Sequence, residues 1–360
     1  DNTLRILNLL PVAFSLFALS VSANEPSIND GPYLIQSSPS QQSAYWICDS
    51  QLKQSSAAPH NNQVKFNRPK TCTELPEPVL NPVARQVLAD TYQGVKKIVA
   101  LSDVHGQYDV LITLLRNHQI IDEHNNWSFG DGHMVITGDM FDRGHQVNEV
   151  LWFIYQLDKQ ASEAGGQLHL LMGNHEQMVM RGDLRYVHPR YDTAVKLLER
   201  SYDKLYGDDT EIGQWLRSKH TIVKINDMLF LHGGISKEWV ERQLTLEQAN
   251  ALYRQNIDKS KAELKENELL NFLFFGNGPT WYRGYFKAEF TQAELDTILA
   301  YFKVNRVVVG HTSQERVLGL FNNRVIAIDS SIKLGHSGEL LLINENGLIR
   351  GKYDGQQVPL

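Results

Sequence analysis

The stretch Met134-Val135-Ile136-Thr137-Gly138-Asp139-Met140-Phe141-Asp142-Arg143-Gly144 runs from an apolar β-like segment into two carboxylates and an arginine held between glycines. Three charges within five residues are costly to gather unless a ligand or metal compensates them; a solvated turn with an Asp–Arg ion pair is the plain alternative. The same arrangement recurs four times. Ser102-Asp103-Val104-His105-Gly106 follows Lys96 to Leu101, and Gly173-Asn174-His175-Glu176 follows Leu168 to Met172. His232-Gly233-Gly234 follows Met228-Leu229-Phe230-Leu231, and Gly310-His311 follows Arg306 to Val309. Open α/β sheets collect ligands at the carboxyl ends of their strands. Five polar clusters at five strand ends therefore predict one site assembled from distant pieces.

Taken singly, most of these residues have ordinary explanations. Asp103-x-His105 matches an N-cap Asp beside a surface His; Asn174 suits a helix N-cap, with Glu176 compensating the early helix dipole. His232 and His311 alone would more often be packed core histidines. Together they offer carboxylate, imidazole and carboxamide, the donor types of hard and borderline divalent ions.

The spacing carries the fold. Asp103 to Asp139 is 36 residues and Asp139 to Asn174 is 35 (differences of residue number), with helical apolar spacing over Tyr108 to Asn117 and Val147 to Glu163. Near-equal steps of this size are what repeated β-α-β units produce. Residues 183–220 and 236–275 read as charged helical insertions, in which Ser260 to Glu266 is a solvated helix face. Strands at Arg306 to Val309, Val325 to Ile328 and Glu339 to Ile343 make the carboxy-terminal part β-rich. The expected architecture is a sheet sandwich with helices on its outer faces.

Composition excludes several classes. The 360 residues carry a formal charge of -6 with a pI near 6.1, which leaves no basic footprint for nucleic acid. No apolar run reaches the roughly 18 residues a membrane span needs, so an integral membrane protein is not expected. Residues 1–23 have the three-part pattern of a signal peptide: Arg5, the apolar core Ile6 to Val21, and the small residues of Val21-Ser22-Ala23. This predicts export, to the periplasm, with a mature start at Asn24; exported material beginning at Asp1 would contradict it. A retained segment would mean a buried amino-terminal helix and a cytoplasmic protein. Residues 24–94, rich in proline and serine, read as an irregular arm packed on a catalytic domain spanning 95–360. Cys48 and Cys72 permit one disulfide there, with free thiols as the alternative. No Cys-x5-Arg loop and no glycine-rich ATP loop is present, so a thiol phosphatase and a kinase are unsupported.

In this order, the five clusters resemble the metallophosphoesterases, specifically their phosphoprotein-phosphatase branch. More closely, the chain is similar to the Shewanella-like protein phosphatases, which include an enzyme acting on phosphotyrosine. The resemblance runs from about Val95 to Ile343. It implies an α/β fold, the calcineurin-like four-layer α/β/β/α sandwich with two central mixed sheets, and two divalent ions (Mn, Fe or Zn). It assigns Asp103, His105 and Asp139 to the first ion, with Asp139 bridging to a second completed by Asn174, His232 and His311. A hydroxide bridging the ions would attack phosphorus, with His175 as general acid oriented by Asp142. Arg143 and Arg283, the latter in Gly278-Pro279-Thr280-Trp281-Tyr282-Arg283-Gly284, would bind phosphate together with Asn174. An exposed loop arginine stacked on an aromatic is the alternative for Arg283. Trp281, Tyr282, Tyr285 and Phe286 are candidate walls of a phosphotyrosine pocket, or else core packing.

The chain departs from that pattern in two places. Ser102 stands where the family has glycine, and the Ser-Ala-Pro-Asn-Tyr segment of eukaryotic serine/threonine phosphatases is absent. The implied function is hydrolysis of a phosphorylated protein. Its rivals are a dinucleoside polyphosphate (diadenosine tetraphosphate) hydrolase and a metal-bound binding protein without catalysis.

Overall fold

Strand β1 (Asp30–Ser38), β2 (Gln41–Cys48), β3 (Gln51–His60) and β4 (Gln63–Phe66) form an antiparallel meander where an irregular arm was expected. The structure, a computed structural model, describes residues 26–60 and 63–360; the export segment expected at 1–23 lies outside them. Five of the serines that suggested irregularity (Ser37, Ser38, Ser43, Ser55 and Ser56) lie within these strands, while Pro39, Ser40 and Ser50 sit at their turns. Asp49 and Ser50 both have positive φ, at 49° and 61°, and close the hairpin whose last pair is Cys48 opposite Gln51. Two positive-φ residues make the turn whose twist suits a hairpin. Cys48 and Cys72, both buried, form a disulfide with Cα atoms 5.4 Å apart.

The chain then enters β5 (Thr91–Tyr92), β6 (Ile98–Leu101), α1 (Tyr108–Asn117), β7 (His133–Ile136), α2 (Val147–Glu163), β8 (Gln167–Leu170) and α3 (Asn174–Met180). The 183–220 segment folds into several short helical pieces separated by loops. Beyond it come β9 (Ile222–Ile225), β10 (Met228–Leu231), a helical stretch, β11 (Arg306–Val309), β12 (Leu318–Leu320), β13 (Val325–Ala327), β14 (Leu340–Asn344), β15 (Gly347–Gly351) and β16 (Gln357–Pro359). One six-stranded sheet has the order β16-β15-β14-β6-β7-β8, the other β12-β13-β11-β10-β9-β5. Strands β6, β7 and β8 are parallel, as are β10, β11 and β13.

The two sheets pack face to face because their residues alternate. Ile98, Ala100, Val135 and Leu341 of one meet Val223, Phe230, Val308 and Ile326 of the other in a single apolar layer. Their neighbours Val99, Leu101, Met134, Ile136, Leu229 and Val309 point outward into the helices. Burial on both faces explains why these strands read as continuous apolar runs. The result is a four-layer α/β/β/α sandwich of mixed sheets, as expected.

The amino-terminal sheet covers α2, which accounts for a helix buried on more than one stripe. Trp152 Nε1 and Asn148 Nδ2 donate to the Pro32 carbonyl at 2.8 and 3.2 Å. Asp30 is fully buried and accepts from Gly31 N at 2.7 Å and Tyr33 Oη at 2.6 Å. Burial pushes its carboxyl up to about 6, and Arg190 offsets this only in part. The folded protein thus holds a proton that the unfolded chain releases near pH 4. Stability from that proton is complete below pH 4 and is lost as pH rises through 6. Asp30→Asn is expected to gain on the wild type by up to about 3 kcal/mol between pH 4 and 7. Urea unfolding at both pH values measures this; an equal gap at both would contradict it.

Candidate metal centre and active site

The parallel strands β6, β7 and β8, with β10 and β11 of the facing sheet, bring all five clusters to one rim. Their loops interlock through backbone: Asp103 N donates to Gly138 O at 3.1 Å, His105 N to Asp139 O at 3.0 Å, and Gly310 N to His232 O at 2.8 Å. Side chains would obstruct this approach at two positions. A Cβ on Gly138 (φ +100°) would lie 2.5 Å from Gly173 N, and one on Gly310 would lie 2.0 Å from Ser102 Oγ. Asp103, His105, Asp139, Asp142, Arg143 and His311 all adopt positive φ, between 46° and 72°. Each such residue costs roughly 1–2 kcal/mol, and strain of this kind concentrates at functional sites.

Glu176 secures the Asp139 loop. Its buried carboxylate accepts from Asp139 N (2.8 Å), Met140 N (2.6 Å), Phe141 N (3.4 Å) and Gly173 N (2.7 Å). The early-helix dipole role read from sequence is thus the smaller part of what it does. Glu176→Ala would orphan these donors, and we expect at least about 3 kcal/mol of lost stability in urea unfolding. A loss below 1 kcal/mol would contradict that role.

His105, His232 and His311 each have one ring nitrogen on a backbone carbonyl and turn the other into the site. His105 Nδ1 donates to Phe141 O at 2.7 Å, which leaves Nε2 3.5 Å from Asp139 Oδ2 and 3.8 Å from Asp103 Oδ2. His311 Nε2 faces Trp281 O at 3.2 Å and His232 Nδ1 faces Thr137 O at 2.7 Å, so both rings use those nitrogens as donors. His232 Nε2 then lies 2.8 Å from Asn174 Oδ1, 3.1 Å from His311 Nδ1 and 3.2 Å from Asp139 Oδ2. One N–H cannot serve three acceptors; a cation among them would serve all four atoms. Burial lowers His105 to about 3, overcoming the pull of Asp139. Burial alone would also lower His232, but Asp139 and Asp103 push it up to about 10. The cavity therefore draws positive charge to itself.

Ligand atoms fall into two groups, His105–Asp139–His175 and Asp139–His232–His311, each within 4.8 Å. Asp139 belongs to both. These oxygen and imidazole donors can hold metal. Within the first group His175 is engaged elsewhere: its Nδ1 lies 2.5 Å from Asp142 Oδ2, while Nε2 is 3.9 Å from Asp139 Oδ2. Burial alone would lower the His175 pKa, but Asp139 and Asp142 together raise it.

Arg143 and Arg283 are both exposed. Arg283 is tied to the site through donation to His311 O at 2.7 Å. The candidate aromatic wall divides. Tyr285 is core, its hydroxyl donating to Ile235 O at 3.0 Å and accepting from Ile235 N at 2.7 Å. Tyr282 and Phe286 are packed against the same core as partly buried residues. Trp281 remains beside the site, its ring 5.9 Å from that of His311. The aromatic residue that sequence reading missed is Tyr186, whose ring lies 5.6 Å from His175.

The family model for calcineurin-like phosphoesterases matches residues 96–315. The chain belongs to that family. As a calcineurin-like phosphoesterase it is a hydrolase of phosphoric monoesters. It is 67% identical to the crystal structure of the cold-active protein-tyrosine phosphatase of a psychrophilic Shewanella species, covering 92% of this chain and 98% of that one with a TM-score of 0.88. Among curated relatives, Shewanella-like protein phosphatase 1 of Plasmodium berghei is 29% identical over 68% of this chain and 70% of its own length. Shewanella-like protein phosphatase 2 of Arabidopsis thaliana is 25% identical over 69% and 75%. The likeness to these phosphatases bears out the resemblance read from the five clusters. Among the described residues, no helix of this phosphoesterase is long and apolar enough to cross a membrane.

Proposed function

We propose that this phosphoesterase is a phosphoprotein phosphatase that prefers phosphotyrosine and uses two divalent ions. Asp103, His105 and Asp139 would hold the first ion; Asp139, Asn174, His232 and His311 would hold the second. Asp139 carries the reading, because one buried carboxylate is shared by both groups of ligand atoms. Mn, Fe and Zn all suit this donor set. When bound, such ions supply Lewis acidity toward phosphoryl oxygens and lower the pKa of a water.

The chain's own groups do the remainder. Guanidinium forks of Arg143 and Arg283 bind the phosphoryl oxygens and take up charge that develops on them. Asp142 accepts the Nδ1–H of His175 and so fixes its tautomer, which leaves Nε2 to deliver a proton to the departing oxygen. Backbone interlocking of the loops keeps these groups in place before substrate arrives.

Phosphotyrosine preference is supported by the 67% identity to the cold-active protein-tyrosine phosphatase of the Shewanella species. The Cys48–Cys72 disulfide and the sequence pattern of residues 1–23 support an exported, periplasmic setting. A panel of matched phosphotyrosine and phosphoserine peptides with diadenosine tetraphosphate tests the function. The phosphotyrosine peptide should give the highest kcat/KM. Equal efficiency on the two peptides would remove the preference, and faster hydrolysis of the tetraphosphate would replace the reading.

A further inference from the structure

Tyr186 has 43% of its surface exposed, yet its position is fixed from several sides. Its carbonyl accepts from Arg143 N at 2.8 Å, so the loop that carries it is tied to the backbone of the phosphate-binding arginine. Upstream, Asp183 N donates to Met178 O at 2.8 Å. Downstream, Tyr191 Oη donates to His145 O at 3.0 Å and accepts from Val147 N at 2.7 Å, and Arg190 pairs with Glu149 at 2.9 Å.

The ring stands between charged and imidazole neighbours. The Arg143 guanidinium carbon lies 5.3 Å from its centroid and that of Arg185 5.5 Å, while the His175 ring centroid is 5.6 Å away. Arg185 is itself held by a two-pronged pair with Asp183 at 2.8 and 2.9 Å. The Arg185 cation–π contact therefore comes from a restrained side chain.

We infer that Tyr186 is the residue that selects aryl phosphates, by stacking on the ring of the phosphotyrosine leaving group. This rests on the phosphatase reading with His175 as the acid. The leaving oxygen must come within hydrogen-bond reach of His175 Nε2. A phenyl ring attached to that oxygen then lies beside His175 and within the 4.5–7 Å separation at which aromatic rings pair with Tyr186. A seryl phosphate has no ring to place there, so its methylene gains little from the same surface. Trp281 is less well placed, because it borders His311 rather than the acid. An aromatic carried on a loop whose backbone is already tied down loses little backbone freedom on binding, which favours selectivity by a single contact.

The test compares wild type, Tyr186→Ala and Tyr186→Phe on one peptide sequence carrying phosphotyrosine or phosphoserine. The ratio of the two kcat/KM values should fall at least about tenfold in Tyr186→Ala, mainly through KM for the phosphotyrosine peptide. It should stay within about twofold of wild type in Tyr186→Phe, which keeps the ring. An unchanged ratio in the alanine variant, with wild type active, overturns this inference alone; so does an equal fall in both variants. Wild type inactive on both peptides would instead overturn the phosphatase reading and this inference with it.

Discussion

Asp139→Asn is expected to lower turnover by three orders of magnitude or more, equivalent to about 4 kcal/mol of transition-state stabilisation. Asp139 Oδ2 lies 3.2 Å from His232 Nε2 and 3.5 Å from His105 Nε2, one imidazole from each side of the site. An amide presents only one oxygen and no charge, so it cannot serve both sides. Asparagine is the right replacement because the backbone there has φ of 62°, a conformation it tolerates better than most residues. Its Oδ1 can also still accept from His175 N, as Asp139 Oδ1 does at 3.0 Å. The fold should therefore persist while metal content falls. Unfolding by urea, elemental analysis and kcat on a single preparation separate these effects. A variant that keeps wild-type metal content would contradict the sharing of Asp139.

His175→Asn is expected to lose turnover in proportion to how poor the leaving group is. General acid catalysis contributes about 10²–10⁴-fold where the leaving oxygen needs a proton. We expect a loss in that range on a phosphoserine peptide, and about tenfold or less on 4-nitrophenyl phosphate, whose phenoxide departs without help. Metal content should be unchanged, because His175 Nδ1 is taken by Asp142 Oδ2 at 2.5 Å and Nε2 stands 3.9 Å from Asp139. His175 nonetheless shares a ligand group with His105 and Asp139. The variant thus distinguishes acid from ligand: equal loss on both substrates, with loss of metal, would make it a ligand.

Much of this site was legible because its chemistry is written at strand ends. Each of the five clusters follows a short apolar strand, and the parallel order of β6, β7 and β8 turns sequence spacing into proximity. Local reading failed where meaning depends on distant partners. Tyr285 and Trp281 look equivalent in sequence, yet Ile235 backbone captures the Tyr285 hydroxyl and buries it. Tyr186 carries no local signal, since only the docking of its loop on Arg143 brings it to His175. Glu176 read as a helix-start acid, and its grip on Asp139, Met140 and Phe141 appears only once the neighbouring strands lie side by side. The amino-terminal sheet was hidden for another reason. Its prolines and serines signal chain reversal as well as irregularity, and alternation in β1 and β2 is blurred by register shifts near Asp30 and Gln36.

The shared carboxylate is tested most directly by the metal stoichiometry of the wild-type chain, reconstituted with manganese, freed of excess ion and measured by elemental analysis. Two ions per chain is the predicted result. One ion per chain, or none, with full phosphatase activity would contradict it.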